Sequence, residues 1–200
     1  MNAVRPARTE AAIRHEEPAL LRITAAQFSV MVEAGAFTGG QGVELRGGLL
    51  YETTPQHVPH LRAKSELHEA LLDALRALGS PLRVASEGSV LLGEGEVPQP
   101  DLIVWEPVQV RGPVPGERVR LLVEVSDTTL TDDLGRKRAL YAAASVPEYW
   151  VVDVLGRAIH QHWAPADGAY GRSAVVPFGE AVRSATLAGL VVPTAALDQG

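Results

Sequence analysis

The run Val119-Arg120-Leu121-Leu122-Val123-Glu124-Val125 constrains the fold more than any other segment of this chain. It is apolar on both faces, which suits a central strand of a covered sheet. Around it the sequence predicts an ordered set of elements. Leu61, Leu67, Leu71, Leu72, Leu75 and Leu78 fall near helical spacing and predict an amphipathic helix at about 58–78, stopped by Gly79 and Pro81. Strands are predicted at about 83–92, 101–105 and 119–126, a second helix at about 132–145, and a strand from Glu148 to Val154 rich in aromatic and β-branched residues.

Thr24 with Gln27 reads as a capping box that opens a short helix over 24–35, ended by Gly35, Gly39 and Gly40. Residues 43–46 and 49–53 flank Gly47-Gly48, the dipeptide a tight hairpin turn demands. Residues 158–194 read as short strands and turns. Residues 1–20 mix charges without periodicity and read as a flexible tail. That leaves 21–200 as one domain, long enough for a full core without staples.

Several function classes fall away. The chain has no cysteine, which removes disulfides, thiolate zinc sites and cysteine nucleophiles and agrees with a cytoplasmic location. No apolar run approaches the roughly 18–20 residues of a membrane span, and the N-terminal stretch has no apolar centre for a signal peptide. No Gly-rich loop precedes a lysine, and no Gly-x-Ser-x-Gly elbow occurs. A net charge of −6 counts against a broad basic nucleic-acid-binding face, but a carboxylate cluster serving a divalent cation lowers net charge by its nature.

Three acids stand out by position. Asp101 follows Pro100 at the head of a strand, Glu124 lies inside the apolar strand, and Glu44 lies in the first hairpin strand. A carboxylate in a buried strand is costly unless it is paired or binds a metal. Two on neighbouring strands repel each other until a divalent cation joins them, and oxygen donors of this kind suit Mg²⁺ or Mn²⁺. Lys137, on the helix after the Glu124 strand, is the candidate to stabilise charge building on a phosphate or to hold a water. Plainer readings compete. Glu124 could pair with Arg120 or Arg136, Glu44 could join a cross-strand charge pair, and Asp133 and Lys137 stand at i, i+4 as an ordinary helix-surface pair. Tyr141 suits core packing. His57, His60 and His68 do not share one face, so they do not make a zinc set, although His60 near a helix start could touch substrate. His160 and His162 share a strand face and read as a solvated or partly buried pair, Trp150 and Trp163 as core or dimer contacts, and Glu148 and Asp153 as structural.

Taken in order, Val43-Glu44-Leu45-Arg46-Gly47-Gly48, His60, Pro100-Asp101-Leu102-Ile103-Val104, Leu122 through Leu130, Asp133, Lys137, Tyr141 and Val146 through Asp153 resemble the Uma2 family of restriction-endonuclease-like proteins, within the PD-(D/E)XK nuclease superfamily. The likeness spans about residues 20–190. It implies an α/β fold with a four-stranded mixed core sheet flanked by helices, preceded by the N-terminal helix and hairpin. The carbonyl of Val125 is a candidate third protein ligand for a metal held by Asp101 and Glu124. The likeness itself implies Asp101 and Glu124 as metal ligands, Glu44 as an added acid and Lys137 as the lysine. It further implies Mg²⁺-dependent (or Mn²⁺-dependent) hydrolysis of DNA phosphodiesters. One position departs from the superfamily pattern: the lysine usually stands two residues after the second acid, where this chain has Ser126, so Lys137 would be a relocated lysine.

A homodimer would let two sites address two strands of DNA, and the apolar and aromatic content after residue 148 could supply its interface. The alternatives are a non-catalytic binding or regulatory module on the same fold, and a phosphodiesterase acting on RNA.

Overall fold

The computed structural model describes residues 19–37, 42–53 and 55–199. Most of the tail expected over 1–20, and Gly39 and Gly40 of the first helix stop, lie outside them.

The chain opens with helix α1 (Ala25–Glu33), and the capping box forms as the sequence predicts. The Thr24 hydroxyl accepts the Gln27 N–H at 3.2 Å, and the Gln27 side chain accepts the Thr24 N–H at 2.8 Å. Strands β1 (Val43–Arg46) and β2 (Leu49–Glu52) make the predicted hairpin. Gly47 and Gly48 between them both have positive φ, +55° and +76°, as a two-residue turn of matching twist requires. Backbone bonds between Leu45 and Val97, and from Gly48 to the Gly95 carbonyl, dock the hairpin on the loop ahead of the Asp101 strand.

Helix α2 (Val58–Ala77) buries Ala63, Leu67, Leu71 and Leu75. Two of the leucines expected on that stripe, Leu61 and Leu78, are exposed, and the stripe continues instead through His60 and Lys64, both buried. The strand expected over 83–92 is two strands, β3 (Arg83–Ser86) and β4 (Val90–Leu91). The break falls at Glu87, with φ +56°, and at Gly88, where a Cβ would come within 2.8 Å of Ile103. Strands β5 (Leu102–Trp105), β6 (Val114–Pro115) and β7 (Val119–Ser126) follow. Next comes one continuous helical stretch: a first turn α3 (Leu130–Asp132), a π-helical segment (Asp133–Lys137) and α4 (Arg138–Ala143).

Strand β8 (Glu148–Asp153) then runs parallel to β7. The region after residue 158, expected as short pieces, instead holds two nine-residue strands, β9 (Ala158–Ala166) and β10 (Ala169–Pro177). They are joined by Asp167-Gly168 with both residues at positive φ, a strong hairpin signal in itself. The short pair β11 (Val182–Arg183) and β12 (Val191–Val192) agrees with the expectation.

The result is a mixed sheet of six strands rather than four, in the order β10-β9-β8-β7-β5-β3, antiparallel except for β7–β8. Helix α2 covers one face, where Leu67, Leu71 and Leu75 pack with Leu121, Val123, Val125, Trp150 and Val152. The 130–143 helix covers the other, where Tyr141 packs with Ile103, Leu122, Tyr149 and Val151. The alternation along β7 explains why that strand is apolar on both sides. Among the described residues no helix is long and apolar enough to cross a membrane.

Candidate metal centre

Leu102 pairs with Val123 and Ile103 with Leu122, so one step further along the antiparallel β5–β7 ladder Asp101 stands opposite Glu124. The two carboxylates expected on neighbouring strands are thus brought together. Both are buried, at 6% and 3% exposure, beside a cleft of about 570 Å³ that also takes in Glu44, His60, Val125, Asp133 and Lys137.

Asp101 is held from three directions. Its Oδ2 accepts the Val125 amide N–H at 2.8 Å, and its Oδ1 accepts the Gln56 side-chain N–H at 3.0 Å and meets His60 Nε2 at 2.9 Å. Burial raises the Asp101 pKa, but the His60 bond, the Val125 amide and the Lys64 charge outweigh it, and the carboxyl titrates below its ordinary range.

Glu124 faces the opposite helix. The Tyr141 hydroxyl donates to its Oε1 at 2.6 Å, and Lys137 Nζ lies 2.9 Å from its Oε2. Burial raises Glu124, Lys137 opposes this, and the charges of Asp133 and Asp101 add to it, pushing the carboxyl up to about 8. Lys137 shows the reverse balance. Burial lowers it, but Glu124, Asp133 and Glu44 outweigh burial and raise its pKa, so it keeps its proton. One ammonium shared among several carboxylates leaves Glu124 short of positive charge.

The i, i+4 pair of Asp133 and Lys137 exists, at 3.3 Å, but it is buried and turned toward the sheet rather than lying on the surface. The π-helical turn spans these two residues, a local geometry frequent at functional sites. Ser126, two residues after Glu124, donates its hydroxyl to Asp133 Oδ2 at 2.6 Å, and the Thr129 hydroxyl does the same at 2.6 Å. Asp133 Oδ1 is buried, and its contact is the Lys137 ammonium at 3.3 Å.

Glu44 reaches the same cleft from the hairpin, 1% exposed. Its partner is Arg46 on its own strand, at 2.5 Å from Nε, rather than a cross-strand residue, and its other oxygen accepts the Gln99 amide at 2.8 Å. The arginines that could have neutralised Glu124 are engaged elsewhere: Arg120 with Glu106 and Arg136 with Asp132.

Comparison with known proteins identifies a family. The model of the Uma2 family, described as "Putative restriction endonuclease", matches residues 27–195. The chain belongs to the Uma2 family. The fold is shared with a solved structure, "a putative nuclease belonging to DUF820 from Anabaena variabilis ATCC 29413". The identity is 14%, with a TM-score of 0.60, covering 84% of this chain and 96% of that one. No curated protein matches the chain.

Restriction-endonuclease-like families usually use divalent metals. Among the described residues no three His, Asp or Glu side chains form a ready-made cage. The donors on hand are two carboxylates and backbone oxygen, the set that suits a hard cation retaining several waters. Burial pushes Glu124 up, and the charges of Asp133 and Asp101 add to that push; a cation would offset both, so the residues fit such a cation. Val125 lines the cleft, and its amide is taken by Asp101.

Sequence reasoning missed Gln56 and Lys64 altogether. The signal for Lys64 was available: His60 and Lys64 sit at positions that continue the Leu67, Leu71, Leu75 stripe, so a helix face otherwise committed to the core carries two polar groups. Gln56 lies before the helix and left no pattern. The readings of other polar residues divide. Trp150 and Glu148 are buried core residues, and Glu148 accepts from Trp150, Gln161, Ser184, Ala185 and Thr186. His162, read as solvated or partly buried, is 6% exposed and stacks on Tyr149; burial, with Arg138 nearby, lowers its pKa to about 4.

Proposed function

We propose that this protein is a divalent-metal-dependent endonuclease that hydrolyses DNA phosphodiester bonds. The observation that carries the reading is the meeting of Asp101, Glu124 and Lys137 in one cleft, with the lysine ammonium 2.9 Å from Glu124. Asp101 and Glu124 would hold Mg²⁺ or Mn²⁺, with the Val125 carbonyl as a third protein ligand and Glu44 joining directly or through water. A cation there would supply Lewis-acid polarisation of a phosphoryl oxygen and a more acidic water. Lys137 stays protonated, and from its place beside Glu124 it orients the attacking water or offsets the charge building on the phosphate. Tyr141, whose pKa burial and then Glu124 raise well above the ordinary phenol value, remains a hydrogen-bond donor and fixes the Glu124 rotamer. The same reading takes residues 21–200 as one nuclease-like domain behind the N-terminal tail, acting as a cytoplasmic homodimer.

The test is calorimetric titration of Mn²⁺ into the wild type and Glu124→Ala, with plasmid nicking followed for both and for Asp101→Ala. The expected outcome is that binding and nicking vanish together in the variants while the fold persists. Binding without cleavage of any DNA, with RNA cut instead, would move the substrate to RNA. Binding without cleavage of either would favour a binding module. Cleavage unchanged in Asp101→Ala would overturn the proposal.

A further inference from the structure

Asp101 is enclosed by a closed ring of contacts that the metal reading does not use. The Glu87 N–H donates to the Asp101 carbonyl at 3.1 Å, and the Glu87 carboxylate accepts from Lys64 Nζ at 2.6 Å. Lys64 also donates to the Gln56 side-chain oxygen, and Gln56 returns its N–H to Asp101 Oδ1 at 3.0 Å. This order fixes the Gln56 amide: its oxygen must face the ammonium, so its nitrogen must face Asp101. Glu87 holds φ +56°, a conformation costly for a residue with a side chain, and both its amide and its carboxylate are committed to the ring. His60, one helical turn before Lys64, adds a second contact to the same Oδ1 at 2.9 Å. Because a carboxylate only accepts, His60 Nε2 is the donor.

A carboxylate offers about four lone-pair directions. Here His60 and Gln56 use both of those on Oδ1, and the Val125 amide uses one on Oδ2. One direction is left, on Oδ2. We propose that His60 and Gln56 are positioning residues that close Oδ1 of Asp101 and so present a single oxygen to the cation, making Asp101 a one-oxygen ligand of fixed orientation. This rests on Asp101 being a metal ligand, as proposed above. Contacts behind a ligating group commonly change metal affinity by about 10- to 100-fold when removed. His60 and Gln56 stand in that place, both on Oδ1 of Asp101.

The experiment is Mn²⁺ titration by calorimetry on the full chain for the wild type, His60→Leu, His60→Gln and Gln56→Leu, with thermal melting to confirm folding. His60→Leu removes the donor. His60→Gln keeps a side-chain N–H of similar reach to the Nε2 position. The expected result is a roughly 10- to 100-fold weaker Mn²⁺ affinity in His60→Leu and Gln56→Leu, with His60→Gln restored to within about threefold of the wild type. A merely structural loss would not follow the donor in this way. Folded His60→Leu and Gln56→Leu that bind Mn²⁺ as the wild type does would overturn the positioning role while leaving the metal site standing. Should His60→Leu fail to fold, Gln56→Leu decides between the same two outcomes. A wild type that binds no Mn²⁺ removes the metal reading, and this proposal with it.

Discussion

The Lys137 ammonium lies 2.9 Å from Glu124 Oε2, a buried contact between a helix and the strand before it. It serves a carboxylate that burial pushes up to about 8, and it does so while also facing Asp133. Helix and strand are consecutive in the chain, so a lysine on the helix reaches back to a carboxylate on the strand.

Lys137→Met should therefore separate binding from chemistry. Removing the ammonium takes away a positive charge next to the proposed cation, so Mn²⁺ affinity is expected to hold or rise. Plasmid nicking is expected to fall by roughly 100- to 1000-fold, the usual loss when a charge-stabilising donor is removed. Calorimetry and nicking on the same preparation check both halves, and Lys137→Met with undiminished nicking removes the lysine from the mechanism.

Cation affinity should depend on pH in a window set by Glu124. Its folded pKa is about 8 against an ordinary 4.5, so between those values the folded protein holds a proton that the unfolded chain releases. The metal-free protein gains stability from this below about pH 4.5 and loses it as pH rises through about 8. Asp101, lowered below 3.8, acts in the opposite sense and only at more acidic pH. Thermal melts from pH 5 to pH 9 without metal should show a falling Tm, and Mn²⁺ affinity should climb over the same range and level off above about 8. In Glu124→Gln the slope of Tm with pH should be much reduced.

Glu148 supports the fold rather than the chemistry. Its two oxygens accept from Trp150, Gln161 and Ala185 on one side and from Ser184 and both polar groups of Thr186 on the other. Glu148→Gln turns one acceptor into a donor against those donors, in a site that is 0% exposed. A loss of about 3 kcal/mol in chemical denaturation is expected. Mn²⁺ binding should be unchanged in the folded variant.

The hairpin that carries Glu44 depends on Gly48. A Cβ there would lie 2.7 Å from the Arg22 Cβ and 3.1 Å from the Ile23 carbonyl, at φ +76°. Gly35 has a similar φ, +68°, but open space around it. Gly35→Ala is expected to cost about 1 kcal/mol, the backbone penalty alone. Gly48→Ala should cost about 1–3 kcal/mol more, since the contacts are with backbone and a Cβ that cannot swing away. Equal losses in the two variants would show that the turn absorbs the clash.

Local chemistry along the chain was enough to find the first helix, the hairpin, the central strand and the acids. Thr24 with Gln27, Gly47-Gly48 and the two-faced apolar strand act within a few residues of themselves, so their outcome is written in the sequence. Asp101 and Glu124 were legible because an acid in an apolar strand needs an explanation wherever the strand lies. What the sequence did not determine was partnership across distance. That Lys64 and Gln56 enclose Asp101, that Arg120 and Arg136 are taken by Glu106 and Asp132, and that residues 158–177 extend the sheet to six strands all follow from which surfaces meet. Hydrophobic spacing says which face of a helix turns inward but not what it meets there. The polar members of that face acquire a role only when α2 is laid over the end of β5, where Asp101 waits for its donors.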